Sequence, residues 1–203
     1  GEIEVTLNRE RPPEEYQKAL KSVLNDAEGL NETIPGLMEL AQVDMSYTQA
    51  ALSPVAIDEL IWELAEHWTE KVGKGLFAVN VVNLPDDPEK LQIRANKALL
   101  IIALNNIISN AYKFSDNRRV QCGLYADNSH INITITDSGV GIPAEEKEKV
   151  FESFYRGTNV KDYNGTGIGL YITGKIISLF NGIINITSDA GIGTSITITF
   201  RIP

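Results

Sequence analysis

The sequence predicts an α+β protein: a mixed sheet covered by helices on one face, preceded by a partial helical hairpin. Three observations carry that expectation. Strict alternation of apolar and polar residues recurs in three segments, helical periodicity occupies the stretches between them, and a heptad seam runs through the first 45 residues. With 203 residues, 43% of them hydrophobic, the chain is long enough to bury a core, which excludes disordered, collagen-like and mucin-like classes. A net charge of -9 gives no electrostatic footprint for a polyphosphate backbone, so no nucleic-acid partner is expected. The lone cysteine, Cys122, has no internal disulfide partner, as in a reducing compartment. The longest wholly apolar run, ALLIIAL at 98–104, falls far short of the ~20 residues of a membrane helix. No direct membrane contact is expected of this stretch.

Taken in order, Tyr16, Leu20, Val23, Ala27, Leu30, Ile34, Leu37 and Ala41 are spaced by alternating fours and threes. Leu24, Met38 and Leu40 widen that seam into a bundle face. Pro12 and Pro13 open this helix after a turn, with Ile3, Val5 and Leu7 as the tail of a preceding one, and Pro35–Gly36 is expected to kink it. Half a hairpin has little core of its own, so the seam predicts a homodimer through an intermolecular bundle. The pattern changes after Asp44, which places a domain boundary near residue 50: a partial hairpin over 1–50 and a second domain over 51–203.

In the second domain the spacing predicts a helix over about 58–72, with Leu60, Ile61, Leu64 and Trp68 inward. Short strands follow at 77–82 and 91–95, then a helix over 97–114 with a core stripe of Leu100, Leu104, Ile107 and Ala111. Three alternating sets complete the sheet: Val120, Cys122, Leu124 and Ala126; Ile131, Ile133 and Ile135; and Ile196, Ile198, Phe200 and Ile202.

The second of these sets continues in register to Asp137, which puts a carboxylate on the apolar face, where hydrogen-bond donors must meet it. A helix cap or an Asx-turn would do this; so would a ligand amine, with Gly139 and Gly141 of DSGVGIP letting backbone approach a flat molecule. On the helix over 97–114, Asn106, Asn110 and Lys113 share a second face. That face is either simply solvated or offers carboxamide oxygen to a hard cation and an ammonium to phosphate. In NGTGIGLYITGKIISLF, Gly165, Gly167 and Gly169 precede a helix striped with Tyr171, Ile172, Ile176, Leu179 and Phe180. It is a flexible loop or an anion site made of free amide hydrogens at a helix N-terminus.

In this order, NNIISNAYKFS, DSGVGIP, VFESFYRG, GTGIGL and GIGTSITITF resemble the ATP-binding domain of sensor histidine kinases. The likeness covers about 55–203, and residues 1–44 resemble most of the dimerisation hairpin that precedes that domain. The resemblance implies a Bergerat-type sandwich that binds ATP and Mg²⁺, with Asp137 accepting from the adenine amino group and Thr194 beside it. Gly139 and Gly141 would border the base, Asn110 would hold magnesium, Lys113 would approach the phosphates or ribose, and Phe114 would pack near the nucleoside. Gly165, Thr166, Gly167, Gly169 and Leu170 would close the phosphate end. Residues 144–164 would form a lid anchored by Phe151 and Phe154, and Arg156 would stabilise charge on the transferring phosphoryl group. Lys161 lies in the lid by position only, and a solvated lysine is the simpler reading.

Two departures stand out. Asn96 occupies a place where the family commonly has an acidic residue, and the phosphoacceptor histidine is expected upstream of this chain, since His67 and His130 lack its context and read as surface residues. Related ATPases and serine kinases carry a glutamate as general base where Asn106 stands. A carboxamide takes no proton at neutral pH, so Asn106 favours transfer to a histidine, itself a nucleophile, over hydrolysis. The implied activity is phosphoryl transfer from ATP to that histidine and relay to an aspartate of a response regulator, in the cytoplasmic portion of a membrane-anchored sensor. The alternatives are an ATPase or a binding-only module of the same fold.

Overall fold

The computed structural model describes residues 52–160, 163 and 165–202, together with 12, 13 and 15–17. The expected hairpin over 1–50 and Lys161 therefore lie almost wholly outside the described residues. In chain order the elements are β1 (Ser53–Ala56), α1 (Ile57–Val72), β2 (Phe77–Asn83), β3 (Gln92–Ala95), α2 (Lys97–Phe114), β4 (Val120–Ala126), β5 (His130–Thr136), α3 (Gly169–Leu179), β6 (Ile183–Asp189) and β7 (Gly193–Arg201). Five strands form one sheet in the order β2-β4-β5-β7-β6. Its β2–β4 pair is parallel and the other pairs are antiparallel.

Alternation decides which face is dry. Val120, Cys122, Leu124 and Ala126 of β4, Ile131, Ile133 and Ile135 of β5, and Ile196, Ile198 and Phe200 of β7 are buried. They meet Leu100, Leu104, Ile107 and Ala111 of α2 and Ile172, Ile176 and Ile177 of α3 in one core. The opposite face carries hydroxyls paired across strands: Thr134 with Thr197 at 3.1 Å, Thr136 with Ser195 at 2.9 Å, and Thr199 donating to Asn132 at 2.7 Å. On α3, Thr173 and Ile177 are buried where Tyr171 and Leu179 were expected. The Thr173 hydroxyl is satisfied by the Gly169 carbonyl at 2.9 Å.

The two helices on the N-terminal side are pinned by one polar and one aromatic contact. Trp68 Nε1 donates to Asn105 Oδ1 at 2.8 Å, and the Trp68 ring stacks on Tyr112 at 5.3 Å between centroids. Asn96 caps α2, accepting from Ala98 N at 3.0 Å and Leu99 N at 3.3 Å. A carboxylate would cap equally well, so this departure from the family pattern leaves the helix start intact. Asp116 and Asn117, both at positive φ, end the helix at its other side.

Two strands go beyond what the pattern predicted. Ser53–Ala56, within a stretch read as polar up to Pro54, pairs with β3 from Ser53 opposite Ala95 to Ala56 opposite Gln92. The sheet-edge strand β6 has its apolar residues only partly covered, with Ile183 62% exposed, which blurs the period-2 signal. Among the described residues no helix is long and apolar enough to cross a membrane.

Candidate functional site

A cavity of about 540 Å³ opens between α2, the C-terminal end of β5 and the segment that joins β5 to α3. Helical spacing brings Asn106, Asn110 and Lys113 to one wall, with Phe114 at the end of that helix; Asp137 and Thr194 line the cavity from the sheet. Gly141, Arg156, Gly165, Thr166, Gly167, Gly169 and Leu170 also line it. Motifs separated by up to 88 positions thus converge on one space. Gly139 is not among the lining residues.

Asp137 meets its expected donors from within the protein. Gly139 N donates to Oδ1 at 2.8 Å, closing an Asx-turn, and Thr194 N donates to the same oxygen at 3.3 Å. Oδ2 has no partner among the described residues. Burial pushes the carboxyl above its ordinary range, and the two backbone N–H groups pull against that.

Both glycines of DSGVGIP stand where backbone crosses backbone. A Cβ on Gly139 would collide with the Phe114 carbonyl oxygen, where Val140 N already donates at 3.1 Å. A Cβ on Gly141, at φ 66°, would collide with the Asp189 carbonyl, next to the Gly191 N to Val140 O bond of 2.7 Å. Gly141 lines the cavity through its backbone, whereas Gly139, expected beside it, is not among the lining residues and sits against the Phe114 carbonyl.

At the other end, α3 begins with no side-chain cap, so the amides of its first turn remain available. A Cβ on Gly165 would lie 2.6 Å from Lys113 Nζ, and one on Gly169 3.5 Å from Asn106 Oδ1. Asn106 Nδ2 is buried without a hydrogen-bond partner among the described residues, a polar atom open to a ligand in the cavity that Asn106 lines. Among the described residues no group of three or more His, Cys, Asp or Glu side chains could hold a cation. The carboxamide oxygen of Asn110, on the cavity wall, is of the oxygen-donor type that a hard cation takes.

Between Pro143 and Ile168 the chain runs through short 3-10 turns at Ala144–Glu146, Lys149–Phe151 and Thr158–Val160. Sequence reading passed over Glu146, which is 5% exposed and accepts from Thr158 Oγ1 at 2.7 Å and Thr158 N at 3.2 Å. Its position among four acidic residues hides it: only the fold distinguishes it from Glu145, Glu148 and Glu152. Tyr155 is raised from its ordinary pKa, first by desolvation and then by Glu146. Asn159 Nδ2 donates to the Gly141 carbonyl at 2.9 Å, tying this segment to the Asp137 loop. Arg156 is exposed and donates to the backbone carbonyls of Val160, at 3.1 Å, and Tyr163. Phe151 packs against α3, 3.5 Å from a Cβ on Gly174. Phe154 does not anchor the lid as expected: it is 62% exposed at φ 63°, held through its backbone N–H to Gly167 O at 3.1 Å.

Neither histidine lines the cavity. His67 is exposed beside Trp68, and His130 is the first residue of β5, 4.0 Å from Asp127. Burial pushes the Cys122 thiol up to about 12, which leaves it unreactive.

The family model of the histidine kinase-, DNA gyrase B- and HSP90-like ATPases matches residues 95–203, which carry Asn106, Asn110, Asp137, the glycine-rich turn and Thr194. The chain belongs to that ATPase family. Among curated relatives, the sensor histidine kinase RcsC of Escherichia coli (strain K12) is 26% identical over 205 residues, covering 100% of this chain and 21% of RcsC. The sensor-like histidine kinase SenX3 of Mycobacterium tuberculosis (strain ATCC 25618 / H37Rv) is 29% identical over 189 residues, covering 91% of this chain and 45% of SenX3. The chain thus spans between a fifth and a half of these relatives' length. Of solved structures, the mycobacterial sensor histidine kinase MprB is 26% identical with a TM-score of 0.59, covering 74% of this chain and 97% of that one. Full-length ShkA in complex with AMPPNP, 21% identical, superposes with a TM-score of 0.69 over 97% of this chain and 41% of its own. The mixed sheet backed by helices is the fold of these catalytic domains, as the five motifs implied.

Proposed function

We propose that the chain is the ATP-binding catalytic portion of a sensor histidine kinase, moving the γ-phosphoryl of ATP to a histidine on a dimerisation hairpin for relay to a response-regulator aspartate. One observation carries this reading: a single cavity brings together a carboxylate oxygen without a partner among the described residues, two carboxamides, a lysine and an uncapped helix start. Its membership of an ATPase family and its kinase relatives support it. In this reading residues 1–50 belong to the dimerising hairpin, and the parent protein is a membrane-anchored sensor with this portion in the cytoplasm.

The roles follow from chemistry. Asp137 Oδ2 accepts a hydrogen from the adenine amine. Asn110 would hold Mg²⁺ together with phosphate oxygens, and the bound ion would neutralise charge on the phosphates during transfer. Lys113 and the amides at the start of α3 hold the triphosphate. Arg156, released from the Val160 and Tyr163 carbonyls, supplies positive charge to the transferring group. Asn106, with no proton-accepting capacity at neutral pH, orients rather than deprotonates, which disfavours water as the nucleophile.

Calorimetry should show Mg·ATP binding by this chain, and incubation with γ-labelled ATP should leave the chain itself unlabelled, because His67 and His130 lie away from the cavity. Label appearing on a histidine-bearing dimerisation hairpin, supplied as a separate polypeptide, establishes the kinase. Steady phosphate release without the hairpin would instead mark a hydrolase.

A further inference from the structure

Ser188, 3% exposed at the end of β6, stands behind Thr194 and makes three contacts. Ile142 N donates to its Oγ at 2.8 Å, the Gly193 carbonyl oxygen lies at 2.7 Å, and Thr194 Oγ1 lies at 2.9 Å. A hydroxyl has one hydrogen and two lone pairs. The Gly193 carbonyl has no hydrogen to give, so the Ser188 hydrogen must occupy that 2.7 Å contact. The two lone pairs of Ser188 are then filled by the Ile142 N–H and by the Thr194 hydroxyl hydrogen. Thr194 Oγ1, its only hydrogen used behind the wall, has nothing but lone pairs for the cavity it lines. Beside it, both backbone donors of Asp137 converge on Oδ1, leaving Oδ2 of the carboxylate as a second acceptor.

We infer that Ser188 is a specificity-determining positioning residue: by taking the Thr194 hydrogen it makes the Asp137 end of the cavity acceptor-only. That end then accepts a purine bearing an exocyclic amine, which has two hydrogens to give. A purine with a carbonyl oxygen at that place meets only lone pairs and is refused. The inference rests on the nucleotide reading proposed above and extends it to a residue outside the cavity wall.

The test measures ATP and GTP affinities of the full chain by calorimetry for wild type, Ser188→Ala, Thr194→Val and the double variant. Ser188→Ala frees the Thr194 hydrogen, so the ATP-to-GTP affinity ratio should fall about three- to tenfold. The isosteric Thr194→Val tests the same point with the buried serine retained: it removes an acceptor and should weaken ATP without weakening GTP. In the Thr194→Val background, Ser188→Ala should no longer move the ratio. The inference is overturned if Ser188→Ala leaves the ratio unchanged, if it shifts the ratio equally in both backgrounds, or if Thr194→Val weakens GTP rather than ATP. Wild-type protein that binds neither nucleotide refutes the underlying reading and the inference with it. Preference for ATP with no response to either variant leaves the reading standing and removes Ser188 alone.

Discussion

A methyl group added at Gly141 would run into the Asp189 carbonyl, and one at Gly139 into the Phe114 carbonyl, whereas one at Gly169 would rest 3.5 Å from the flexible Asn106 side chain. The two glycine-rich segments, 137–143 and 165–169, look alike in sequence and flank one cavity, yet they differ in what crowds them. In the first, backbone crosses backbone, and the crossing fixes the loop that holds Asp137. In the second, Gly165 and Gly169 face side chains of α2 that line the cavity, while Gly167 alone meets backbone, the carbonyls of Phe154 and Tyr155. Small size preserves the fold in one segment and leaves room for a ligand in the other.

The sharpest way to break this comparison is Gly141→Ala, where the residue sits at φ 66° against a carbonyl. It should cost about 3 kcal/mol or more in urea unfolding, through overpacking and left-handed strain. A loss below ~1 kcal/mol would mean that the crossing yields easily and that the contrast is false. Next in size, Asp137→Asn should weaken ATP by roughly 1.5–3 kcal/mol, the worth of a hydrogen bond to a charged group. Unchanged affinity in calorimetry would remove Asp137 from the site.

Glu146→Ala strips the acceptor from Thr158 N and Oγ1 and should cost about 1–3 kcal/mol locally, read as lost hydrogen-exchange protection at the Thr158 amide while β4 and β5 stay protected. Protection lost throughout the domain would make Glu146 a residue of the global core and not a local tie to Thr158.

A subtler effect concerns pH. Because burial raises the Asp137 pKa in the folded protein, its shift adds stability below the unfolded carboxylate value, about 3.9, and that contribution disappears as pH rises through the folded pKa. Asp137→Asn escapes this loss, so the variant's melting temperature relative to wild type should improve between pH 4 and pH 7 even as ATP affinity falls. A difference that declines over that range would contradict the raised pKa. Smallest of all, Gly169→Ala should change stability by no more than about 1 kcal/mol, because its contact is ordinary and alanine favours a helix start as well as glycine does.

Much of this was legible in one dimension because the relevant physics is local. Period-2 alternation determined the dry face of β4, β5 and β7, since successive side chains on a strand must point to opposite sides. Helical spacing determined that Asn106, Asn110 and Lys113 share a face, since 3.6 residues close a turn. Asp137 stood out because a carboxylate in register with Ile131, Ile133 and Ile135 contradicts the pattern around it. Tertiary structure alone decided where those features meet and which polar groups are already spoken for. Glu146 is indistinguishable from its acidic neighbours until the chain folds Thr158 onto it, and Ser188 looks like any hydroxyl on an edge strand until Ile142, Gly193 and Thr194 surround it. Phe154 shows the converse: an aromatic that sequence reading assigns to an anchor is turned outward by a backbone at positive φ. Hydrogen-bond capacity and steric room are set by neighbours distant along the chain, and no spacing rule carries that information.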